Sequence, residues 1–167
     1  MKIILFLSLL IWVIPGFGKV KIQKPRSQHV TAFAIIVDEM TLEKTGGAVE
    51  AYRDALEADG LSTYIVSGNW KNPDEVKAEI IKLNKRKPVL EGVVFIGDIP
   101  VALIRNAQHM TTAFKMNEDE FPFPESSVPS DRFYDDLHLT FDFICQDSVN
   151  TSHFYYKLRE DSPQQLR

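Results

Sequence analysis

The chain has 167 residues with 19 Lys and Arg against 23 Asp and Glu, a formal charge of −4, and 44% hydrophobic residues. This mild acidity argues against a nucleic-acid footprint, because phosphate binding needs grouped Lys and Arg. The densest basic run, Lys82 to Lys87, sits at the end of a predicted helix, where cations complement the macrodipole. A single cysteine, Cys145, excludes an intrachain disulfide, so the fold must rest on an ordinary hydrophobic core, which is feasible at this length.

Residues 1–18 read as a cleaved export signal. Lys2 supplies the positive start, Ile3 to Ile14 form a twelve-residue apolar run, and Gly16 and Gly18 stand where small residues precede a cut. The run is shorter than the roughly 20 residues that span a bilayer, although an uncleaved anchor and a buried first strand remain alternatives. The reading implies a secreted, periplasmic or cell-surface bacterial protein with no stable membrane insertion once the signal is removed. The sequon at Asn150 matters only in a pathway that glycosylates asparagine.

A polar leader, 19–29, precedes the α/β domain, 30–167. Val30 to Asp38 is predicted to be a strand, and Leu42 to Asp59 a helix with Val49, Tyr52, Leu56, Ala48 and Ala55 on its apolar stripe, stopped by Gly60. A second strand follows at Leu61 to Val66. A second helix is capped by Asn72, with Pro73 in its first turn and Val76, Ile80, Leu83 and Ile81 buried; Pro88 ends it. Gly92 to Gly97 is a third, unalternated apolar strand. Strand–helix–strand–helix–strand with unalternated strands predicts a parallel sheet covered on both faces, a three-layer half-domain of caspase-like or Rossmann-like kind that is incomplete at its C-terminus.

From Asp98 the texture changes. The 34 residues to Asp131 hold four of the nine prolines and no clear element beyond a short apolar piece. This segment starts at the carboxyl end of a central strand, where open α/β sheets place their binding crevice. Leu137 to Cys145 then alternates as an edge strand or hairpin arm, with Leu137, Leu139, Phe141, Phe143 and Cys145 on one face. Phe154 to Tyr156 form an aromatic cluster before a polar end that lacks a packed terminus.

In "VVFIGDIP" the glycine permits a tight exit, Asp98 presents a carboxylate at the crevice edge, and Pro100 stiffens the departing chain. Asp98 either positions a substrate or cation, or caps a turn. Candidate metal ligands are His109 and His153 with Asp98, Glu118, Asp119, Glu120, Asp131, Asp135 and Asp136. Their spacing fits no zinc motif. Asp131, Asp135 and Asp136 can be solvated acids of a turn balanced by Arg132, or hold calcium, which accepts six to eight oxygens flexibly. "PSDRFYDD" reads as a rigid turn lining the crevice, anchored by Phe133 and Tyr134. Cys145, on the apolar face of its strand, reads as a packed thiol rather than a nucleophile. No "GxSxG", "GKS" or "GxGxxG" supports serine hydrolysis or nucleotide binding, and neither Ser126 nor Ser130 sits on a strand-to-helix elbow.

"VFIGDIP", a long loop, and "VPSDRFYDDL" together resemble the front half of the gingipain-like cysteine peptidases of the caspase-like clan. Gly97, Asp98 and Pro100 match one element; Pro129, Ser130, Asp131, Phe133 and Tyr134 match the other. "AYRDALEADGLSTYIV" is similar to the preceding helix and strand, so the resemblance covers about Val30 to Leu137. It implies an exported α/β peptidase acting through a Cys–His dyad on protein or peptide substrates, with calcium stabilising some members. The family's histidine turn and cysteine strand have no counterpart here, and its "GR-phi-P" strand is absent. No catalytic residue transfers; Asp98, Asp131 and Tyr134 carry over as substrate-crevice or scaffold residues. The rival expectation is a non-catalytic secreted α/β module that binds a protein or glycan.

Overall fold

The computed structural model describes residues 20–105, 117, 120, 121 and 123–163. Residues 1–18, read from sequence as an export signal, and the candidate ligands His109, Glu118 and Asp119 lie outside them. Eleven elements follow in order: β1 (Lys21–Gln23), β2 (Thr31–Asp38), α1 (Glu39–Ala58), β3 (Leu61–Gly68), α2 (Pro73–Asn84), β4 (Val89–Ile96), β5 (Val101–Arg105), β6 (Ser127–Pro129), α3 (Arg132–Asp135), β7 (Phe141–Gln146) and β8 (His153–Leu158). The fold is α/β.

Two four-stranded mixed sheets replace the single incomplete sheet expected. The first runs β1-β3-β2-β4. Its three long strands are parallel: β2 pairs with β3 from Thr31↔Leu61 to Asp38↔Gly68, and with β4 from Thr31↔Val89 to Val37↔Ile96. Successive β2 side chains point to opposite faces. Ile35 and Val37 join Ile65 and Val49 of α1, whereas Ala34 and Ile36 join Val66 and the α2 residues Val76, Ile80 and Leu83. A strand buried on both sides does not alternate, which explains the continuous apolar runs.

α1 starts three residues before the predicted Leu42, because the Asp38 carboxylate accepts from Thr41 N at 2.9 Å and caps it. Its buried stripe also differs. Val49 and Leu56 face the sheet, but Tyr52, Ala48 and Ala55 are exposed, while Arg53 (3% exposed) and Glu57 are buried. The leader is responsible. It contributes β1, antiparallel to β3, and then crosses the helix. Glu57 accepts from Arg26 N (2.9 Å), Ser27 N (3.0 Å) and Ser27 Oγ (2.7 Å), and Arg53 Nη1 donates to Gln23 Oε1 at 3.2 Å. Both buried charges thus have hydrogen-bond partners, and Arg53 Nη2, which makes no hydrogen bond among the described residues, lies 3.8 Å from Glu50 Oε2.

α2 follows the sequence closely: Asn72 Oδ1 accepts from Glu75 N at 2.9 Å, and Val76, Ile80 and Leu83 are buried. It packs in the same cluster as Ile104, Phe154 and Tyr156 of the second sheet, β6-β5-β8-β7, and Phe133 of α3. In that sheet β5 and β8 are parallel and β6 and β7 are antiparallel edges. Phe154 to Tyr156, read as an aromatic cluster without a packed end, is the middle of strand β8. No helix among the described residues is long and apolar enough to cross a membrane.

Candidate substrate crevice

The carboxyl ends of β2 and β4 meet at one carboxylate. Asp38 Oδ1 caps α1, and its Oδ2 accepts from Asp98 N at 2.8 Å. Burial pushes the Asp38 carboxyl up, but hydrogen bonds from Thr41 and Asp98 outweigh it and hold the carboxyl below its ordinary range. Gly97 stands between them at φ +87, where a Cβ would lie 1.9 Å from Asp38 Oδ2 and 2.4 Å from Thr41 Oγ1. Only glycine fits that combination of positive φ and close approach. The chain therefore turns sharply off β4.

Beyond the turn, Tyr134 donates its hydroxyl to Pro100 O, and Ser130 N donates to Ala102 O at 3.1 Å. With the β5–β6 pairing, these bonds bring "PSDRFY" against "GDIPVA". Phe95, Gly97, Pro100, Pro129, Asp131 and Tyr134 are among the residues lining a cavity of about 190 Å³. Tyr134 is its rear wall, edge-on to Phe95 at 4.8 Å and to Phe133 at 5.1 Å. Burial, reinforced by Asp74 and Asp131, pushes its phenol far above the ordinary value, so it acts as a neutral hydrogen-bond donor. Behind it, Tyr156 donates to Asp74 Oδ2 at 2.6 Å. Lys77 donates to Leu139 O at 3.0 Å and sits 4.9 Å from the centre of the Phe133 ring. Burial lowers the Lys77 pKa despite Asp136, Asp74 and Asp135 nearby.

Asp98 faces away from this cavity into a second cleft, with Pro100 lining both. Its Oδ1 accepts from Ser152 Oγ at 3.2 Å rather than from the backbone N–H groups of a turn. The other acids are divided as well. Asp131 precedes α3, and its side chain makes no capping bond. Asp135 and Asp136 flank Arg132 at 3.9 and 3.4 Å, and Asp136 also accepts from His138 N. Among the described residues no three His, Cys, Asp or Glu side chains converge as a metal would require. Arg132 thus has both Asp135 and Asp136 of its turn within 4 Å.

Cys145 lies on β7 opposite Tyr155 and is partly exposed rather than packed away, because a register shift between Phe143 and Cys145 twists this edge strand. Phe143 is 56% exposed, so the expected apolar face is partly open, and Ile144 of the opposite face is 38% exposed. Among the described residues Cys145 has no hydrogen bond to a histidine. Among the described residues lining the crevice, no nucleophile is paired with a base.

Sequence reasoning missed Asp38, Ser152 and the Asp74–Tyr156 bond. Asp38 carried a usable signal, an Asp three residues before Thr41 at a strand-to-helix junction. Ser152 and Tyr156 carried none, since each meets its partner across more than 50 residues of chain. Compared with family models, curated proteins and solved structures, the chain matches none.

Proposed function

We propose that this chain is the N-terminal scaffold portion of an exported, gingipain-like cysteine endopeptidase, and that it is inactive alone. One observation carries the reading. The parallel β3-β2-β4 unit, with α1 on one face and α2 on the other, ends on Gly97 beside Pro129, Asp131 and Tyr134, and the outer edge of β4 has no partner among the described residues. A three-layer caspase-like sheet would add its next strand there. The edge strand "VLEGVVFI" has one charge and no proline, unlike edges that natural sheets leave permanently open. The thiolate and imidazole of the full enzyme would come from later strands, with the crevice supporting one wall of the substrate groove.

An antibody to this chain, applied to the secreted fraction of its source, tests the reading. It should capture a longer polypeptide whose hydrolysis of mixed peptides is abolished by iodoacetamide and survives Cys145→Ser. A captured product of this size without thiol-sensitive hydrolysis overturns it. That result would favour a non-catalytic binding module, to which the exposed Phe143 and Ile144 on the β7 edge also point.

A further inference from the structure

The second cleft is a site in its own right. It holds about 240 Å³ and is lined by Lys71 from the segment after β3, Asp98 and Pro100 from the segment after β4, and Gln146, Thr151 and Ser152 from the β7–β8 hairpin. Its floor is closed by Trp70, whose indole N–H is spent on Val37 O at 3.1 Å, and by buried Phe154. The wall is therefore polar, and the aromatic faces beneath it are not offered for stacking. The position, just outside the carboxyl ends of parallel strands, is where open α/β sheets take their ligands.

The unused hydrogen-bonding capacity is chiefly acceptor. Asp98 uses Oδ1 for Ser152, and its backbone is pinned by Asp38, so the carboxylate is held in place while Oδ2 has no partner among the described residues. Gln146 spends its Nε2 on Thr151 O at 2.6 Å, which leaves its Oε1, without a partner among the described residues, as another acceptor. Ser152 donates its only hydroxyl proton to Asp98 and keeps its lone pairs. A carboxylate, a carboxamide oxygen and a hydroxyl oxygen match the three N–H donors of a primary ammonium. Lys71 also lines this cleft.

We propose that this cleft binds the α-ammonium group of an amino acid or of a peptide amino terminus, with Asp98 as its counter-charge. The inference does not depend on the peptidase reading, because it uses neither the crevice beside Asp131 nor the open edge of β4.

Two-dimensional amide spectra of the chain, titrated with alanylalanine, N-acetyl-alanylalanine and free alanine, test it. Alanylalanine should give saturable shifts at Lys71, Asp98, Gln146 and Ser152, with millimolar affinity or tighter. The acetylated dipeptide, which lacks the ammonium, should give none. Asp98→Asn keeps the Ser152 bond but removes the charge, and should weaken binding about tenfold or more with the melting temperature preserved. Equal binding of free alanine would assign the site to amino acids; preference for the dipeptide would assign it to peptide termini. Shifts that fail to saturate, equal binding of the acetylated dipeptide, or an Asp98→Asn variant that folds and binds as the parent does would each overturn the proposal. Gln146→Leu, remote from the Asp38 pin, provides a second variant and should also lose affinity.

Discussion

Three glycine-to-alanine substitutions separate the forces acting at the crevice turn. Gly97 combines φ +87 with a Cβ position 1.9 Å from Asp38 Oδ2; Gly60 has φ +93 but open space; Gly46, within α1, has open space and no positive φ. Gly60→Ala should show backbone strain alone, about 1–2 kcal/mol. Gly97→Ala adds displacement of the Asp38 carboxylate, losing a helix cap at about 1 kcal/mol and a charge-assisted bond to Asp98 N at about 2 kcal/mol. The total of about 4 kcal/mol is a large part of a typical domain's stability and corresponds to a fall in melting temperature of roughly 12 °C, against roughly 5 °C for Gly60→Ala. Gly46→Ala should be neutral or stabilising by up to about 1 kcal/mol. Thermal unfolding followed by circular dichroism measures all three. A Gly97→Ala variant no less stable than Gly60→Ala would refute the claim that Asp38 is clamped between the two strand ends.

Further outcomes follow from the same geometry. The Asp38 carboxyl is depressed in the folded state, so its stabilisation is present above the unfolded value near 3.9 and is lost as pH falls through the lower folded value. The stability gap between the parent and Asp38→Ala should therefore be constant near neutrality and close progressively below about pH 4; a gap unchanged down to pH 3 contradicts the role of the charge. Tyr156→Phe removes the 2.6 Å bond to Asp74 and should cost about 1–2 kcal/mol in urea unfolding, with the second sheet's fold retained; an unchanged midpoint means the bond adds nothing. Because Asp135 and Asp136 already face Arg132, millimolar calcium should leave the melting temperature within about 1 °C, and a calcium-dependent rise lost in Asp131→Ala would instead show a bound cation.

What could be read from the chain beforehand divides along local and long-range lines. The β2–α1–β3–α2–β4 unit was legible because each part declares itself within a few residues: apolar runs at β2, β3 and β4, and the Asn72–Pro73 start of α2. The stripe of α1 was misjudged where Arg53 and Glu57 are buried by a leader about 30 residues away, which periodicity cannot register. β8 was hidden because its apolar run is only Phe154 to Tyr156, flanked by polar His153 and Lys157, and β5 and β6 because they are short and their pairing spans a segment of more than 20 residues. The crevice was found through Gly97, Pro100, Asp131 and Tyr134, residues whose turn chemistry is visible in sequence. Its division by Pro100, with Asp98 on one side and Asp131 on the other, depends on tertiary placement alone.

The open edge of β4 bears most directly on the proposed function, and hydrogen exchange across Val89–Ile96 reads it. In this chain the amides bonded to β2 should be protected, and the alternate, outward amides should exchange at close to solvent rates. In the longer polypeptide captured from the secreted fraction, those outward amides should become protected as well. Outward amides that stay equally unprotected there would show that no strand completes the sheet at β4, and the scaffold reading would fail.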